Sequence, residues 1–260
     1  MAGVMMDLIV EILGLGLLYA CFWFILSIIF KRNDIADIAW GLGYILLCAY
    51  LFWTQAVTDL SILMYDLVAL WGLRLSLHIG IRNSKKPEDF RYNNWRKEWG
   101  KAFYLRSFLQ VYLLQVVILL VVSTPLIIVS QFGSNIINGY SITLTIFWLI
   151  GFIWQALADY QLAQFKKHRT DKDQVLQTGL WKYSRHPNYF GEILMWWSIG
   201  LIAVPLEWGW IGLISPLLIS YLLLNVSGVP MLEKRYEGNM AFESYKKKTP
   251  AVFPKFKFKD

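Results

Sequence analysis

The chain has 260 residues, of which 57% are hydrophobic and 17% are charged, and it carries a formal net charge of +7. A soluble domain of this length would have about a quarter of its residues charged. The composition therefore argues against a soluble protein and predicts an all-α, polytopic membrane protein that forms a single domain over residues 1–260.

Seven apolar runs are about as long as a helix that crosses a hydrocarbon core of roughly 30 Å. In chain order they lie at about 8–30, 35–54, 59–81, 106–130, 141–163, 189–205 and 209–227. The first run lacks a basic region before it and a cleavage site after it, so we interpret it as a retained span. The predicted fold is therefore about seven transmembrane helices.

Basic residues follow alternate spans. Clusters of Lys and Arg lie at 31–32, 82–106, 166–185 and 234–259, whereas the loops at 55–58, 131–140 and 206–208 contain neither. This positive-inside pattern predicts an N-terminus outside and a C-terminus in the cytoplasm. Because topology explains the positive charge, it favours membrane lipids over nucleic acid as a partner.

Two polar segments adjoin the spans. In residues 81–101 and just beyond, Trp95, Trp99 and Phe103 mix with charged residues, which is typical of a helix along the membrane surface or of a solvated loop beside an aromatic belt. After the last span, apolar spacing predicts a short amphipathic helix that contains Met231, Leu232, Tyr236 and Phe242.

Ionisable side chains inside spans are costly and usually face a cavity or a partner. In the predicted spans they are Asp37, Asp66, Arg74, His78, Asp159 and Glu192. All but Asp66 fall in the cytoplasmic half of their helices, which predicts a polar cavity that opens to the cytoplasm. A structural ion pair, such as Asp159 with Lys166, is the alternative. No cysteine spacing indicates a metal site.

Helical spacing places several of these groups on shared faces. Gln155, Asp159 and Lys166 are spaced four and seven residues apart, and Asn188 and Glu192 are four apart. Arg74 and His78 repeat the spacing of four at the inner end of the third span, where snorkelling to the membrane interface is the alternative. We expect the three faces to line one pocket.

The start of the sixth span is typical of an anion site. Pro187 suits a first helical turn, and the N–H groups at a helix start attract anions. Arg185, His186 and Lys182 stand beside it, while the Glu192 carboxylate would accept hydrogen bonds from a ribose or an amide. No GxGxxG motif or P-loop is present, so membrane helices would have to hold any nucleotide.

The segment TGLWKYSRHPNYFGE (178–192), followed by GVPMLEKRY (228–236) and SYKKKTPAVFP (244–254), closely resembles a family of bacterial integral membrane proteins. That family is similar in its C-terminal part to the steroid 5-alpha-reductases and the sterol C14 and C7 reductases. NDIADIAWGLGY (33–44) and EDFRY (88–92) also look like the bacterial family.

The resemblance implies a protein of the bacterial inner membrane that binds NADPH and reduces an activated C=C bond in a lipophilic, steroid-, sterol- or isoprenoid-like substrate. It implies a more divergent N-terminal half at 1–140 and a cofactor-binding C-terminal half at 141–260. Carried over by position, the cofactor-binding residues are Gln155, Asp159, Lys166, Tyr183, Arg185, His186, Asn188, Tyr189, Glu192, Glu233, Arg235 and Tyr245.

The sequence departs from the reductase pattern at three positions. Gln155 and Lys166 stand where the steroid enzymes have Asn and Arg, and the second change loses the bidentate fork of Arg. Trp71 stands near the place of a Tyr that polarises the steroid ketone, which argues against a 3-keto steroid substrate. The proton donor therefore stays open among Tyr44, Asp37 and His78, with Tyr65 and Asp66 as further candidates.

Two alternatives remain open from the residues. The RHPxY segment also resembles the isoprenylcysteine carboxyl methyltransferases, which bind S-adenosylmethionine. A non-catalytic lipid-binding protein would keep the same fold without chemistry. NYFGE after RHP, together with Asp159, favours the reductase.

Overall fold

The structure, a computed structural model, describes residues 2–84, 86–88, 90–171 and 173–256. Every regular element in these residues is a helix, which confirms the predicted all-α class. Contacts group the chain into two compact units. The N-terminal unit comprises Met1–Ile137 with Leu206–Gly209, and the C-terminal unit comprises Asn138–Pro205 with Trp210–Asp260.

In the residues that the structure describes, seven α-helices form the N-terminal unit and five form the C-terminal unit. The seven are α1 (Ala2–Phe30), α2 (Ala36–Thr54), α3 (Asp59–Ser84), α4 (Phe90–Trp99), α5 (Phe103–Ser107), α6 (Leu114–Val122) and α7 (Thr124–Phe132). A 3-10 turn at Gly100–Ala102 precedes α5, and a π-helix at Phe108–Leu113 joins α5 to α6.

The five α-helices of the C-terminal unit are α8 (Gly139–His168), α9 (Pro187–Ala203), α10 (Ile214–Tyr221), α11 (Val229–Glu233) and α12 (Met240–Lys248). Asn138 fixes the start of α8 through a reciprocal capping box, in which its side chain accepts from the Ser141 amide and its own amide donates to Ser141 Oγ, both at 3.0 Å.

Helices α2 and α3 approach closely at a pair of glycines. A Cβ on Gly41 would lie 2.4 Å from the Gly72 carbonyl oxygen, and a Cβ on Gly72 would lie 2.6 Å from the Gly41 carbonyl oxygen. The Ser76 hydroxyl adds a hydrogen bond across the pair, donating to the Ile38 carbonyl at 2.9 Å. Small residues at a helix contact are typical of membrane helices, whose backbones pack closely.

A polar network holds the connection between α1 and α2. The Arg32 guanidinium donates two hydrogen bonds to Asp34, at 2.9 and 2.7 Å, and this pairing raises the pKa of Arg32. The buried Asn33 donates from its backbone N–H to Glu88 Oε1 at 2.7 Å and from its side-chain amide to Ser107 Oγ at 2.9 Å. Asn33 belongs to the segment NDIADIAWGLGY and Glu88 to the segment EDFRY, so two segments that carried the resemblance are in contact here.

Six helices in the described part of the chain are long and apolar enough to cross a membrane. They are Met5–Phe30, Ala36–Thr54, Asp59–Ser84, Tyr92–Val122, Gly139–His168 and Gly209–Tyr236. The predicted count of seven is not confirmed, because the helix that covers the sixth predicted run, α9, has only 17 residues. At 1.5 Å per residue its length is about 26 Å, which is short for a hydrocarbon core of about 30 Å.

The outer faces of these helices support a multi-pass membrane protein. Leu18 in α1 is 71% exposed, and Trp53 in α2 is 82% exposed. Apolar surface on this scale is unfavourable in water but is expected against lipid.

The fourth predicted run, 106–130, is divided in the structure. Helix α6 ends at Val122, and Pro125 lies in the first turn of the separate helix α7. Proline cannot donate the backbone hydrogen bond that would continue α6. The polar segment before this run does contain a helix, α4, which ends where Gly100 adopts a φ of +48°. A residue in this left-handed conformation ends a helix.

Two small clefts lie in the N-terminal unit, and Tyr19, Val116 and Leu119 line both. Neither cleft contains a residue that was predicted to bind the cofactor. The expected cytoplasm-facing cofactor cavity is therefore not confirmed.

Candidate functional site

Two glycines bring α8 and α9 into close contact in the C-terminal unit. A Cβ on Gly191 would lie 2.5 Å from the Gly151 carbonyl oxygen and 2.9 Å from the Gln155 amide nitrogen. A Cβ on Gly151 would lie 2.8 Å from the Gly191 carbonyl oxygen. Only glycine permits this helix spacing, so polar side chains one or two turns away can meet across the helix pair.

Two amide–carboxylate pairs bridge α8 and α9 beside the glycines. The Gln155 side-chain amide donates to Glu192 Oε2, and the Asn188 side-chain amide donates to Asp159 Oδ1 at 3.1 Å. The Trp196 indole also donates to Glu192, reaching Oε1 at 3.1 Å. The structure thus brings together the two faces that helical spacing had defined on α8 and α9. We call Gln155, Asp159, Asn188 and Glu192 the polar seam.

The polar seam becomes less buried toward the start of α9. Gln155 and Glu192 are 5% and 8% exposed, whereas Asp159 and Asn188 are half-buried. A carboxylate among apolar side chains is costly unless donors satisfy it, which the Gln155 amide and the Trp196 indole do for Glu192. A carboxylate can accept about four hydrogen bonds, so the seam also suits a ligand that carries hydroxyl or amide donors.

Backbone donors at the start of α9 are used within the chain. The Arg185 and His186 amides donate to the carbonyls of Pro250 and Ala251, both at 2.9 Å. The Tyr189 and Phe190 amides donate to the His186 carbonyl at 3.0 and 3.3 Å. The expectation of a free set of donors for an anion at this helix start is corrected accordingly, because the tail and the first helical turn bind these four groups.

The side chains of Arg185 and His186 contact a carboxylate of the tail. Arg185 Nε and Nη2 both lie 2.8 Å from Glu233 Oε1, and His186 Nε2 lies 3.1 Å from the same oxygen. Lys246 Nζ lies 3.4 Å from the other oxygen, Oε2. Arg185 also donates to the Thr249 carbonyl. One carboxylate therefore contacts three basic side chains, and we call these four residues the Glu233 cluster.

Tyr245 ties α12 to the segment that precedes α9. Its buried hydroxyl donates to the carbonyls of Trp181 and Ser184, the latter at 3.2 Å. Burial raises the pKa of Tyr245, so the phenol stays protonated and remains a donor. The predicted amphipathic tail helix is represented by α11 and α12. Phe242 and Tyr245 form the buried face of α12.

The remaining predicted cofactor residues surround this region. His186 and Tyr189 stack at a ring distance of 5.3 Å, and the Tyr183 ring lies 5.1 Å from Phe256. Lys166, near the end of α8, and Arg235, after α11, have exposed side chains. The structure thus assigns most of the predicted residues to the seam or the Glu233 cluster, and their binding of a cofactor stays a prediction.

The predicted proton donors belong to the N-terminal unit. Tyr44 is fully buried, and its ring lies 5.3 Å from both Trp40 and Trp71. Asp37 lies in the first turn of α2, and His78 lies near the end of α3, both half-buried. Their catalytic role stays a prediction. Of the further candidates, Tyr65 is buried, whereas the Asp66 side chain is exposed, which argues against Asp66 as a donor in an enclosed site.

Sequence reasoning missed Trp196 and Lys246. Trp196 follows Glu192 by four residues and so shares its helix face, a spacing that would have indicated the contact. Lys246 lies 13 residues beyond its partner Glu233 in a lysine-rich run, and no local spacing indicated the ion pair.

Comparisons with known proteins place the chain in one family. No curated protein and no solved structure matches it. A family described as "Protein of unknown function (DUF1295)" matches over residues 23–249, a range that includes both the polar seam and the Glu233 cluster. On this match, the chain belongs to the DUF1295 family.

Proposed function

We propose that this protein is an NADPH-dependent membrane reductase that reduces an activated C=C bond in a lipophilic substrate. The polar seam is the observation that carries the proposal. Four polar side chains, two of them carboxylates, form hydrogen-bonded pairs between apolar helices. Polar groups at such depth are costly and usually serve a function, and these four positions match those at which the similar reductases hold their cofactor.

The available groups fit the sugar and amide parts of a dinucleotide. Asp159 and Glu192 would accept hydrogen bonds from ribose hydroxyls or from the nicotinamide amide, while Asn188 and Gln155 would donate. The cofactor, when bound, supplies a hydride.

The cationic groups fit the phosphates less directly. Arg185 and His186 contact Glu233 and are buried, whereas the side chains of Lys166 and Arg235 are exposed, so a phosphate from solvent can reach them more easily. Lys246, whose side chain is 47% exposed, could exchange Glu233 for a phosphate with little rearrangement.

Reduction of an activated alkene adds a hydride at the β-carbon and a proton at the α-carbon. Tyr44, Asp37 and His78 are the candidates for the proton donor. General acid catalysis typically contributes 10²–10⁴-fold, so loss of the true donor should lower the rate by about that factor. We further propose that the protein resides in the bacterial inner membrane, with its C-terminus in the cytoplasm.

Ligand binding by the purified protein in detergent tests the proposal. We expect NADP and NADPH to raise the unfolding temperature, and S-adenosylhomocysteine to leave it unchanged. The reverse result would assign the methyltransferase activity, and no response to either ligand at near-millimolar concentration would favour a non-catalytic lipid-binding protein. Asn188→Ala should weaken NADPH binding by up to about tenfold, as expected for loss of one hydrogen bond to an uncharged group of the ligand.

A matched variant separates ligand contact from general damage. Asn239→Ala removes the amide that caps α12, which donates to the Asp173 carbonyl and accepts from the Phe242 amide. We expect it to lower stability without changing NADPH affinity. Incubation of the wild-type protein with lipid extract and deuterated NADPH, read by mass spectrometry, would then identify the reduced lipid.

A further inference from the structure

The N-terminal unit contains a break between α4 and α5, which we call the elbow. Gly100, at a φ of +48°, ends α4, and α5 begins three residues later. Two cation–π contacts link the helices: Arg96 lies 4.2 Å from the centre of the Phe103 ring, and Arg106 lies 5.9 Å from the centre of the Trp99 ring. Both contacts join α4 to α5 across the elbow.

The side chains of Arg96, Trp95, Trp99 and Phe103 make contacts within the chain. Phe103 is 3% exposed, and Arg96 Nη2 lies 3.3 Å from Glu88 Oε1. Trp95 and Trp99 stack with ring centres 5.0 Å apart. Arg96 is therefore a structural cation of the elbow and is not available to an external anion.

Exposed basic and apolar side chains lie close together in sequence across the elbow. Lys97, Lys101 and Arg106 are exposed, and none of them takes part in an ion pair among the described residues. Tyr104 and Leu105, which lie between the last two cations in sequence, are 53% and 65% exposed. Glu98 is the one acidic residue in the stretch 92–106.

The elbow lies where a membrane-crossing helix changes from polar to apolar. The candidate span Tyr92–Val122 is apolar beyond the π-helix, and the cations are confined to its first half. A cluster of Lys and Arg beside a span attracts anionic headgroups, and aromatic side chains are enriched at the same depth.

We propose that Lys97, Lys101 and Arg106 form a binding surface for the phosphate of an anionic phospholipid, with Tyr104 and Leu105 packing against its glycerol and upper acyl region. The charge of the surface and its mixture with exposed apolar side chains favour a lipid headgroup over a soluble anion, which would gain nothing from Tyr104 and Leu105.

Native mass spectrometry of the detergent-purified protein tests this surface. Phosphatidylglycerol and phosphatidylcholine with identical acyl chains are titrated against the wild type and against Lys97→Gln/Lys101→Gln, which removes two cations but neither cation–π contact. We expect the wild type to prefer phosphatidylglycerol, and the double variant to bind it about tenfold to thirtyfold more weakly, as two lost charges near an anionic surface predict.

The control is Lys247→Gln/Lys248→Gln, which removes the same charge from the exposed end of α12 and should keep wild-type affinity. An equal loss in the control would show diffuse charge attraction and overturn the proposal. So would wild-type affinity in the elbow variant, or equal binding of the two lipids. If excess inorganic phosphate displaces phosphatidylglycerol, and the displacement does not depend on the acyl chains of the lipid, the surface binds a soluble anion instead and the proposal is wrong. The unfolding temperature of each variant, measured in the same preparation, excludes misfolding as the cause.

Discussion

At the scale of single residues, Glu192 is the most unusual group in the C-terminal unit. It is a buried carboxylate in the second turn of an apolar helix, and its two described donors come from Gln155 and Trp196. Both donors are buried, so the three side chains depend on one another for their hydrogen bonds. The sequence predicted Glu192 as a site residue because it lies inside an apolar run, where a charged group is costly, and within the segment that resembles the reductases.

Glu192→Ala should destabilise the protein by about 2 kcal/mol or more, because it leaves the buried Gln155 amide and Trp196 indole without this acceptor. Glu192→Gln keeps one carbonyl oxygen as an acceptor and should cost about half as much. Thermal unfolding in detergent measures both. The exposed Glu207, changed to Ala, serves as the control and should shift the unfolding temperature little. Equal stability of Glu192→Ala and the control would contradict the hydrogen bonds assigned to Glu192.

Tyr245→Phe should destabilise the docked tail by about 1–2 kcal/mol at neutral pH, since the hydroxyl donates to two buried carbonyls. Burial raises the pKa of Tyr245 in the folded protein. The contribution of its hydroxyl to stability is therefore complete below the unfolded pKa of about 10 and is lost as the pH rises above that value.

Unfolding temperatures measured across this pH range check the prediction for Tyr245. The wild type should lose stability more steeply than Tyr245→Phe above pH about 10, so that the two curves converge. Parallel curves over the whole range would show that the Tyr245 hydroxyl does not titrate with unfolding.

At the scale of elements, the distance between α8 and α9 depends on glycine. The seam hydrogen bonds form because Gly151 and Gly191 let the backbones approach within the reach of short side chains. Helical periodicity in the sequence predicted which faces of α8 and α9 are polar. The expectation that these faces line one pocket did not specify that Gln155 pairs with Glu192 and Asn188 with Asp159, because that contact is set by the three-dimensional packing of two helices that a long connection separates.

Gly191→Ala should destabilise the protein by about 1–3 kcal/mol and weaken any ligand binding at the seam, because the added Cβ meets backbone atoms that cannot rotate away. Gly139→Ala is the matched control in the same helix pair. A Cβ there has no neighbour within 4 Å, and its φ is not positive. Thermal unfolding should place Gly139→Ala at or slightly above the wild type. A Gly191→Ala protein as stable as this control would mean that the two helices are not in such close contact.

Helix ends differ between sequence and structure for local reasons. The run at 106–130 looked continuous by hydropathy, yet Pro125 begins a new helix after Val122. The run at 141–163 became the longer helix α8, because Asn138 caps its start and basic residues fill its last turn. Caps and prolines are visible in sequence, so these boundaries could have been drawn more accurately from the residues themselves.

At the scale of the whole molecule, composition predicted the fold class but did not predict which residues the tail contacts. The apolar runs predicted a helical membrane protein, and the structure has six helices of suitable length and hydropathy in its described residues. The Glu233 cluster joins residues 47 and 48 positions apart, and it uses basic side chains that were predicted to hold phosphate. Charge type alone cannot distinguish an internal carboxylate from an external phosphate as the partner, because both are anions that bind the same donors.

The number of crossings determines on which side each terminus lies. Six crossings would put both termini on one face, and a seventh by α9 would put them on opposite faces. The basic segment 166–185 precedes α9, whereas the loop 206–208 after it contains no Lys or Arg, and the tail at 234–259 is basic again. The positive-inside rule therefore predicts that α9 crosses, and a bilayer can thin locally around a helix of 17 residues.

Reporter fusions at three positions test this topology. Alkaline phosphatase, which is active only outside the cytoplasm, should be active when fused before α1 or inserted after Glu207. Green fluorescent protein, which fluoresces in the cytoplasm, should fluoresce when fused to the C-terminus. If the reporter after Glu207 instead responds as a cytoplasmic one, α9 does not cross. Asn188 at the start of α9 and its partner Asp159 in α8 would then no longer have to lie at the cytoplasmic face of the membrane, where soluble NADPH is available. In that case the orientation proposed for the reductase would be wrong.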